Sequence, residues 1–447
     1  MASGSREAFG SRAGFILAAA GSAVGLGNMW RFSYQASEGG GAAFVLLYVG
    51  MTIILGIPLM LGEFGIGRRG QLAPIGSLRK LGGPAWGRVG YVFVAAGLLI
   101  LAYYSVIAGW TIRYAIESAI GGFSRDAGAH FGEVSSGMDA LAFHLGFMAV
   151  TILVVMAGIK GGIERASLIL MPVLFFIVLG LAAWAATLQG AHEGYAVYLM
   201  PDLDELMNPK VWRAAASQAF FSLSLGMGAM LTFASYLRSD QDMLESGSII
   251  AFTDFGVAFV AGLVVFPVIY SLGLQGTVGE STVGALFIAL PSAFDEMGRA
   301  GHVVGVFFFI ALAVGALTSA ISLLEVVTAS TIDEFGISRH KAALITGLLI
   351  TALGVLPALN TDLLGLMDKI AGELLLVAGA LATAILAGWV ARDEIQSELI
   401  QGASAFWTRQ VPKIMAVLRF VVPPIVAIVL YFSLRETISA IGGFLAG

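Results

Sequence analysis

Long apolar runs, each bounded by a short polar or glycine- and proline-bearing stretch, recur from one end of the chain to the other. A helix needs about 20 mostly apolar residues to cross the hydrocarbon core of a bilayer. By that measure the pattern predicts about eleven spans, near 13–37, 41–67, 89–120, 141–159, 166–188, 213–237, 244–272, 301–332, 340–358, 362–391 and 412–434. A membrane barrel would show alternating strands of about ten residues. These runs are longer and do not alternate, so an all-α integral membrane protein is expected. Two runs are interrupted, the first by GSAVGLGN at 21–28 and the sixth by SLSLGMG at 222–228. Each interrupted run opens a block of five. The expectation is one transmembrane domain over 1–447, with a five-helix repeat at 13–188, a second, inverted repeat at 213–391, and an extra helix at 412–434. Discontinuous helices in corresponding places of two halves point to a binding site near the bilayer midplane.

Basic loops orient such a bundle, because cytoplasmic loops carry an excess of Lys and Arg. The loop after the second run, GRRGQLAPIGSLRKLGGPAWGR, holds Arg68, Arg69, Arg79, Lys80 and Arg88. Lys160 and Arg165 follow the fourth run, and Arg339 and Lys341 follow the eighth. All fall on one side, opposite longer loops with acids such as PDLDEL at 201–206. The N-terminus is therefore expected in the cytoplasm and, with eleven spans, the C-terminus outside. The opening MASGSREAFGSR and the apolar run behind it do not make a signal-peptide pattern, so the first hydrophobic segment is expected to stay.

Composition narrows the chemistry. Of 447 residues 58% are hydrophobic and 12% charged, against about 25% charged in soluble domains. The net charge of -5 comes without any basic block, so nucleic acid is not an expected partner. There is no cysteine, which excludes disulfides, thiolate catalysis and cysteine-ligated metals. The five histidines, at 130, 144, 192, 302 and 340, form no metal spacing, and none of the six lysines precedes Ser or Thr as a P-loop requires. Neither a membrane enzyme nor an ATP-driven pump has support. A channel would usually need an oligomeric pore or a ring of like charges.

An unwound turn inside hydrocarbon leaves peptide N–H and C=O groups bare, at several kcal/mol per unsatisfied group. Something polar has to fill it. Freed carbonyls suit a hard cation, and the N-terminal end of the following half-helix suits a carboxylate. A zwitterionic amino acid accompanied by sodium matches both polarities. Taken singly, Gly25 reads as well as a close-packing glycine. The hydroxyls of LTSA at 317–320 read as well as bonds to their own helix, and Met227 as an ordinary gap-filler. Asp254, inside SIIAFTDFGVAFVAGLVVF, is sharper. An acid at mid-membrane costs about 2.5–3.5 kcal/mol on insertion scales and is by default functional, the other reading being a protonated acid bonded to a helix carbonyl.

AAAGSAVGLGNMWRF with GGGAAFVLLY, FFSLSLGMGAMLTFASYLRSDQD and GALTSAISLLEVV resemble the first, sixth and eighth spans of the neurotransmitter:sodium symporter family. The likeness covers nearly the whole chain and is nearest to bacterial amino-acid members of the leucine-transporter and multi-hydrophobic amino-acid transporter type. It implies a leucine-transporter-like bundle in the bacterial plasma (inner) membrane, with one subunit sufficient for function. It implies sodium-coupled symport of hydrophobic L-amino acids by alternating access. Symport of another small neutral amino acid or amine is the alternative.

Two Na+ sites are implied. The first would use the Ala23 carbonyl, Asn28, Ser222, Asp254 and the substrate carboxylate. The second would use the carbonyls of Gly21, Val24 and Gly315 with the hydroxyls of Thr318 and Ser319. Family members often carry asparagine where Asp254 stands and rely on chloride, so no chloride is expected here. Substrate would meet Leu26, Gly27 and Tyr104 at its carboxylate, and Ala23, Phe221 and Ser224 at its ammonium. Its side chain would meet Ile100, Met227, Ala320 and Leu323, and Ser319 is also counted among the substrate-binding residues. Arg31 with Asp368 matches the outer gate pair, and Arg6 with Asp333 the inner one. Phe9 stands where the family usually has an inner Trp. Gly162 and Pro172, with nine residues between them, match a fifth-span start that can unwind. Glu63 and Glu325 are expected to bond the bared backbone of the broken helices, and Glu373 to face the outer vestibule.

Overall fold

The computed structural model describes residues 7–121, 126–271, 273 and 285–446, and among these there is no strand. Ser11 caps the first helix, α1 (Arg12–Ala23), by accepting from Gly14 N at 2.9 Å. α1 ends where Val24 turns extended (φ −76°, ψ 108°). α2 (Gly27–Glu38) then departs at 63° to it. The first break is therefore narrower than 21–28. Gly21 and Ser22 stay helical, pressed close to α10 (below), where a Cβ on Gly21 would stand 3.1 Å from Thr318.

The spanning helices that follow are α3 (Ala42–Gly70), α4 (Pro84–Ile120), α5 (Met138–Met156) and α6 (Ile159–Ala185). α7 (Pro209–Ser222) and α8 (Ala229–Ala234) come next. Then come α9 (Met243–Ser271), α10 (Arg299–Phe335), α11 (Arg339–Leu359), α12 (Thr361–Val390) and α13 (Val411–Leu445). Nine are long and apolar enough to cross a membrane, and the bent α1–α2 pair makes a tenth, among the described residues. The eleventh expected span is the α7–α8 pair. Its 14 and six residues are too interrupted to register as one apolar helix.

The second break falls where the sequence places it. Asn208 caps α7, and Pro209 sits in its first turn. Helical geometry stops at Ser222, and Ser224 (φ +52°), Gly226 (+80°) and Gly228 (+78°) carry the chain through the left-handed region. Gly226 has a second reason to be glycine, because a Cβ there would lie 1.9 Å from the Leu376 carbonyl oxygen of α12. Several short helices lie outside the expected spans, among them Ala127–Val134, Ala191–Leu199 and Arg392–Ile400. The loop after the second run forms a short helix, Pro74–Gly82, with proline at its start and Gly83 at φ +88° closing it, start and stop signals that were present in the sequence.

α1 packs on α6, α9 and α10, α10 runs along α4, and α7 lies against α3. Both broken helices are therefore internal. Residues 18–29 and 222–237 are buried throughout. α6 and α13 form the outer face, each with 28% of its most apolar window buried.

Candidate functional site

Two clusters of oxygen atoms flank the break in α1. In the first, Asp254 of α9 is fully buried. Its Oδ2 accepts from Ser222 Oγ at 2.7 Å and from the Tyr48 hydroxyl at 3.0 Å. Its Oδ1 accepts from Asn28 Nδ2 at 2.6 Å, and Asn28 Nδ2 also lies 3.1 Å from Ser222 Oγ. Asn28, Ser222 and Asp254 thus meet although they come from α2, α7 and α9. Asn28 Oδ1 accepts from Gly25 N at 3.0 Å, inside the break. A half-turn of the amide would put that oxygen beside the carboxylate.

In the second cluster, Ser319 Oγ stands 3.5 Å from Gly21 O, 3.5 Å from Val24 O and 3.2 Å from Gly315 O. Thr318 Oγ1 lies 3.0 Å from Gly315 O. Five oxygens from α1, its broken end and α10 are thus neighbours, the three carbonyls within 3.5 Å of Ser319 Oγ. Thr318 and Ser319 are adjacent on α10, and Gly315 is one turn earlier, so helical spacing alone puts them on one face. Every donor is a hydroxyl or carbonyl oxygen, the chemistry a hard cation takes.

Between the clusters lies a small cavity of about 30 Å³. Ala23, Gly27, Ile100, Tyr104, Phe221, Ser224, Met227, Ser319 and Leu323 line it, as do Ser22, Gly25, Asn28 and Ser322. Two expected residues do not. Ala320 is fully buried outside the cavity lining, and Leu26 has its backbone N–H donating to the Tyr104 hydroxyl at 3.3 Å. Ser224 holds its left-handed backbone while Oγ donates to Ser22 O at 2.8 Å, tying one break to the other. Phe221 closes the cavity on one side, its ring so near Gly27 that a Cβ there would be 2.7 Å away. The Arg31 guanidinium lies over the same ring, its Cζ 4.5 Å from the centroid. Beyond it opens a wider cavity of about 380 Å³, with Glu373 in its wall.

The residues expected as gates divide. Arg31 reaches Ser217 Oγ at 3.4 Å and Asp368 accepts from the Tyr103 hydroxyl at 2.7 Å. They make no direct ion pair with one another. Asp333 accepts from Ala73 N at 2.6 Å, and Arg6 lies outside the described residues. Phe9 is buried among Phe15, Phe233 and Tyr236 in edge-on contacts. Gly162 sits in a wide π-type turn, Ile159–Glu164, that is wound rather than open, and a Cβ there would meet Val154 O at 1.9 Å. Pro172 lies inside the regular part of α6.

The two glutamates part company as well. Glu63 does bond the second break, accepting from Gly226 N at 2.7 Å and Leu231 N at 3.2 Å. Glu325 does not bond bared backbone. It is taken by Arg339 at 2.7 Å and the Tyr236 hydroxyl at 2.5 Å, because a buried carboxylate pairs with whatever cation the neighbouring helix supplies.

Several participants were missed. Tyr48, in an ordinary apolar run, carried no signal. Ser322 did carry one, because Gly315, Thr318, Ser319, Ser322 and Glu325 fall at helical spacing as a polar stripe down α10. Glu164 was also missed. It accepts from Gly10 N at 2.7 Å and Ser11 Oγ at 2.8 Å, fastening the start of α1 to the start of α6.

The profile of the sodium:neurotransmitter symporter family matches residues 6–127 and 128–441. The uncharacterized sodium-dependent transporter YhdH of Bacillus subtilis is 36% identical over 441 residues, which is 94% of this chain and 96% of that protein. The human sodium-dependent neutral amino acid transporter SLC6A17 is 31% identical over 302 residues, 59% of this chain and 41% of its own length. Among solved structures, MhsT in complex with L-phenylalanine superimposes with a TM-score of 0.85 at 40% identity, covering 96% of this chain and 99% of that one.

Proposed function

The chain belongs to the sodium:neurotransmitter symporter family, and from that premise we propose that it carries hydrophobic L-amino acids inward with two sodium ions and without chloride. It is a multi-pass membrane transporter with the five-plus-five bundle of discontinuous helices, not an enzyme. Sodium-coupled amino-acid symport is what its relatives support. The observation that carries the finer reading is the pair of oxygen clusters that flank the break in α1 on either side of one pocket, the first of them reaching the second break through Ser222.

In this reading the first ion is held by the Ala23 carbonyl, Asn28, Ser222 and Asp254, and the substrate carboxylate completes its shell. That carboxylate also meets the N–H groups at the start of α2 and the Tyr104 hydroxyl. Binding of ion and substrate then becomes mutually dependent. The second ion takes the Gly21, Val24 and Gly315 carbonyls with Thr318 and Ser319, and joins α1 to α10. Asp254 supplies the negative charge that chloride would otherwise bring. Ile100, Met227 and Leu323 accept an apolar side chain, and a charged one would be buried without a partner. L-Phenylalanine bound to MhsT supports the substrate class.

Phe221, backed by Arg31, is the outer lid, and Asp368 stands across the vestibule for closure. The inner side is held by Asp333, Phe9 and the Glu164 contacts, and unwinding between Gly162 and Pro172 would release it. The repeats run over 13–188 and 213–391, with 412–434 added. The N-terminus is cytoplasmic in a bacterial plasma membrane, and a single subunit suffices. The test is uptake of labelled leucine or phenylalanine into proteoliposomes. An inward sodium gradient should drive accumulation, gluconate in place of chloride should leave it unchanged, and choline in place of sodium should abolish it. Uptake that ignores the sodium gradient would refute the coupling, and uptake lost in gluconate would refute the role of Asp254.

A further inference from the structure

Most polar atoms lining the pocket already have partners. Ser319 Oγ sits among the carbonyls of the second cluster, and Ser224 Oγ donates to Ser22 O. The Tyr104 hydroxyl accepts from Leu26 N, and Asn28 is held by Asp254. Two side chains are left over, Ser22 and Ser322. Both line the pocket, and they are 2% and 1% exposed. Ser22 Oγ donates to Ser322 Oγ at 2.7 Å, and Ser322 Oγ donates to Ser319 O at 2.8 Å. Both hydroxyl protons are therefore used.

A hydroxyl oxygen also accepts at two positions. Among the described residues nothing donates to Ser22 Oγ, and Ser322 Oγ accepts from Ser22 alone. The pair lines the pocket together with the apolar Ile100, Met227 and Leu323, has acceptor positions unfilled, and has both protons engaged. Its position separates it from the groups that would meet an amino acid's main chain. Ser322 is one turn of α10, roughly 4.5 Å of rise, beyond Ser319. Ser22 precedes Ala23 in the helical part of α1, away from the N–H groups of the break.

We infer that the Ser22–Ser322 pair reads a hydrogen-bond donor on the substrate side chain, so that neutral residues ending in an O–H or N–H are preferred over isosteres without one. This rests on the pocket being the substrate site. It is a preference rather than an exclusion. The two serine protons stay bonded whether or not a donor arrives, so an apolar side chain leaves no donor orphaned. An uncharged hydrogen bond in such a place is worth roughly 5–10-fold in affinity. A side-chain carboxylate would set acceptor against acceptor and be refused.

The experiment is ligand-dependent thermal stabilisation of the purified full-length protein in sodium buffer, titrated with matched pairs that differ only in the donor. Tyrosine against phenylalanine probes a long reach, and threonine against valine a short one. The wild type should favour the donor member of at least one pair by about 5-fold or more. Ser322→Ala and Ser22→Ala should bring that ratio close to one, whatever happens to absolute affinity, and Ser322→Thr, which keeps the hydroxyl, should retain it. If Ser22→Ala, next to the break, does not fold, the two Ser322 variants decide the matter. Ratios near one in both wild-type pairs, or ratios unchanged by the alanines, overturn the inference while sodium-dependent binding leaves the pocket assignment standing. Absence of stabilisation by any neutral amino acid in sodium removes the pocket assignment, and the inference with it.

Discussion

Replacing Asp254 by asparagine changes one atom and one charge in a region sealed from solvent. The present carboxylate accepts three donors, Tyr48 and Ser222 on one oxygen and Asn28 on the other. An amide retains one acceptor and turns the other into an NH2 group. Placed toward Asn28 it meets a second amide, which can turn by half a rotation. Placed toward Tyr48 and Ser222 it meets two hydroxyls, which can rotate. Either adjustment is local, so Asp254→Asn should fold. What cannot be restored is the charge. A unit negative charge about 4 Å from a cation contributes about 4 kcal/mol at an effective dielectric near 20. Three donors already share that charge, and a buried carboxylate is costly without its ion, so about half survives as net ion affinity. About 2 kcal/mol corresponds to roughly 30-fold. The assay is the sodium concentration that half-saturates amino-acid binding, with choline as the replacing cation, measured in chloride and in gluconate. The variant should need 10-fold or more sodium in gluconate, and chloride should recover part of the loss. Half-saturation within twofold of wild type in gluconate would refute the argument that Asp254 supplies charge to the first ion.

Gly226→Ala should be among the worst single substitutions in the protein. A left-handed alanine costs about 1–2 kcal/mol, and its Cβ, 1.9 Å from Leu376 O, forces α12 back by about 1 Å. A normal melting temperature with normal binding would contradict this. Gly25→Ala should separate fold from function, because its Cβ meets only side-chain ends, Ser319 Oγ at 2.7 Å and the Tyr104 hydroxyl at 2.9 Å. The purified variant should melt near wild type but bind amino acid at least 10-fold more weakly by titration, on the order of one displaced contact group. Arg68 is 3% exposed and bonds Glu398 Oε1 at 2.7 Å, Gln241 O at 2.6 Å and Gln401 O at 3.0 Å, joining three segments at the end of α3. Arg68→Ala should cost about 3–5 kcal/mol by stranding Glu398, and the Arg68→Ala/Glu398→Ala double variant should recover much of it in thermal unfolding. Additive losses would show that the pair is not coupled.

What is legible in the sequence follows the physics of where polar groups are tolerated. Glycine, serine and asparagine inside an apolar run are anomalies against the surrounding solvent, so 21–28 and 222–228 stood out, and both helices do stop there. A helix also carries its own ruler, so Gly315, Thr318 and Ser319 could be placed on one face without knowing what they faced. The same ruler reaches Ser322, one turn further along the stripe. Pairings between spans obey no such ruler. Arg339, counted only as an orienting charge, sits on Glu325, while Arg31 sits on an aromatic ring rather than on Asp368. In both cases the choice of partner depends on how two separate helices lean. Within one helix a partner is fixed at three or four residues' distance in every conformation. Between helices it is set by the packing of the moment. Arg31 and Asp368 stand on α2 and α12, on either side of a vestibule whose width has to change if the pocket is to open, so their separation in one conformation does not oppose their meeting in another. The contact that does hold that edge now is Phe221 between Gly27 and Arg31. It joins the two broken helices to each other, and it has to part before anything can reach the pocket from that side.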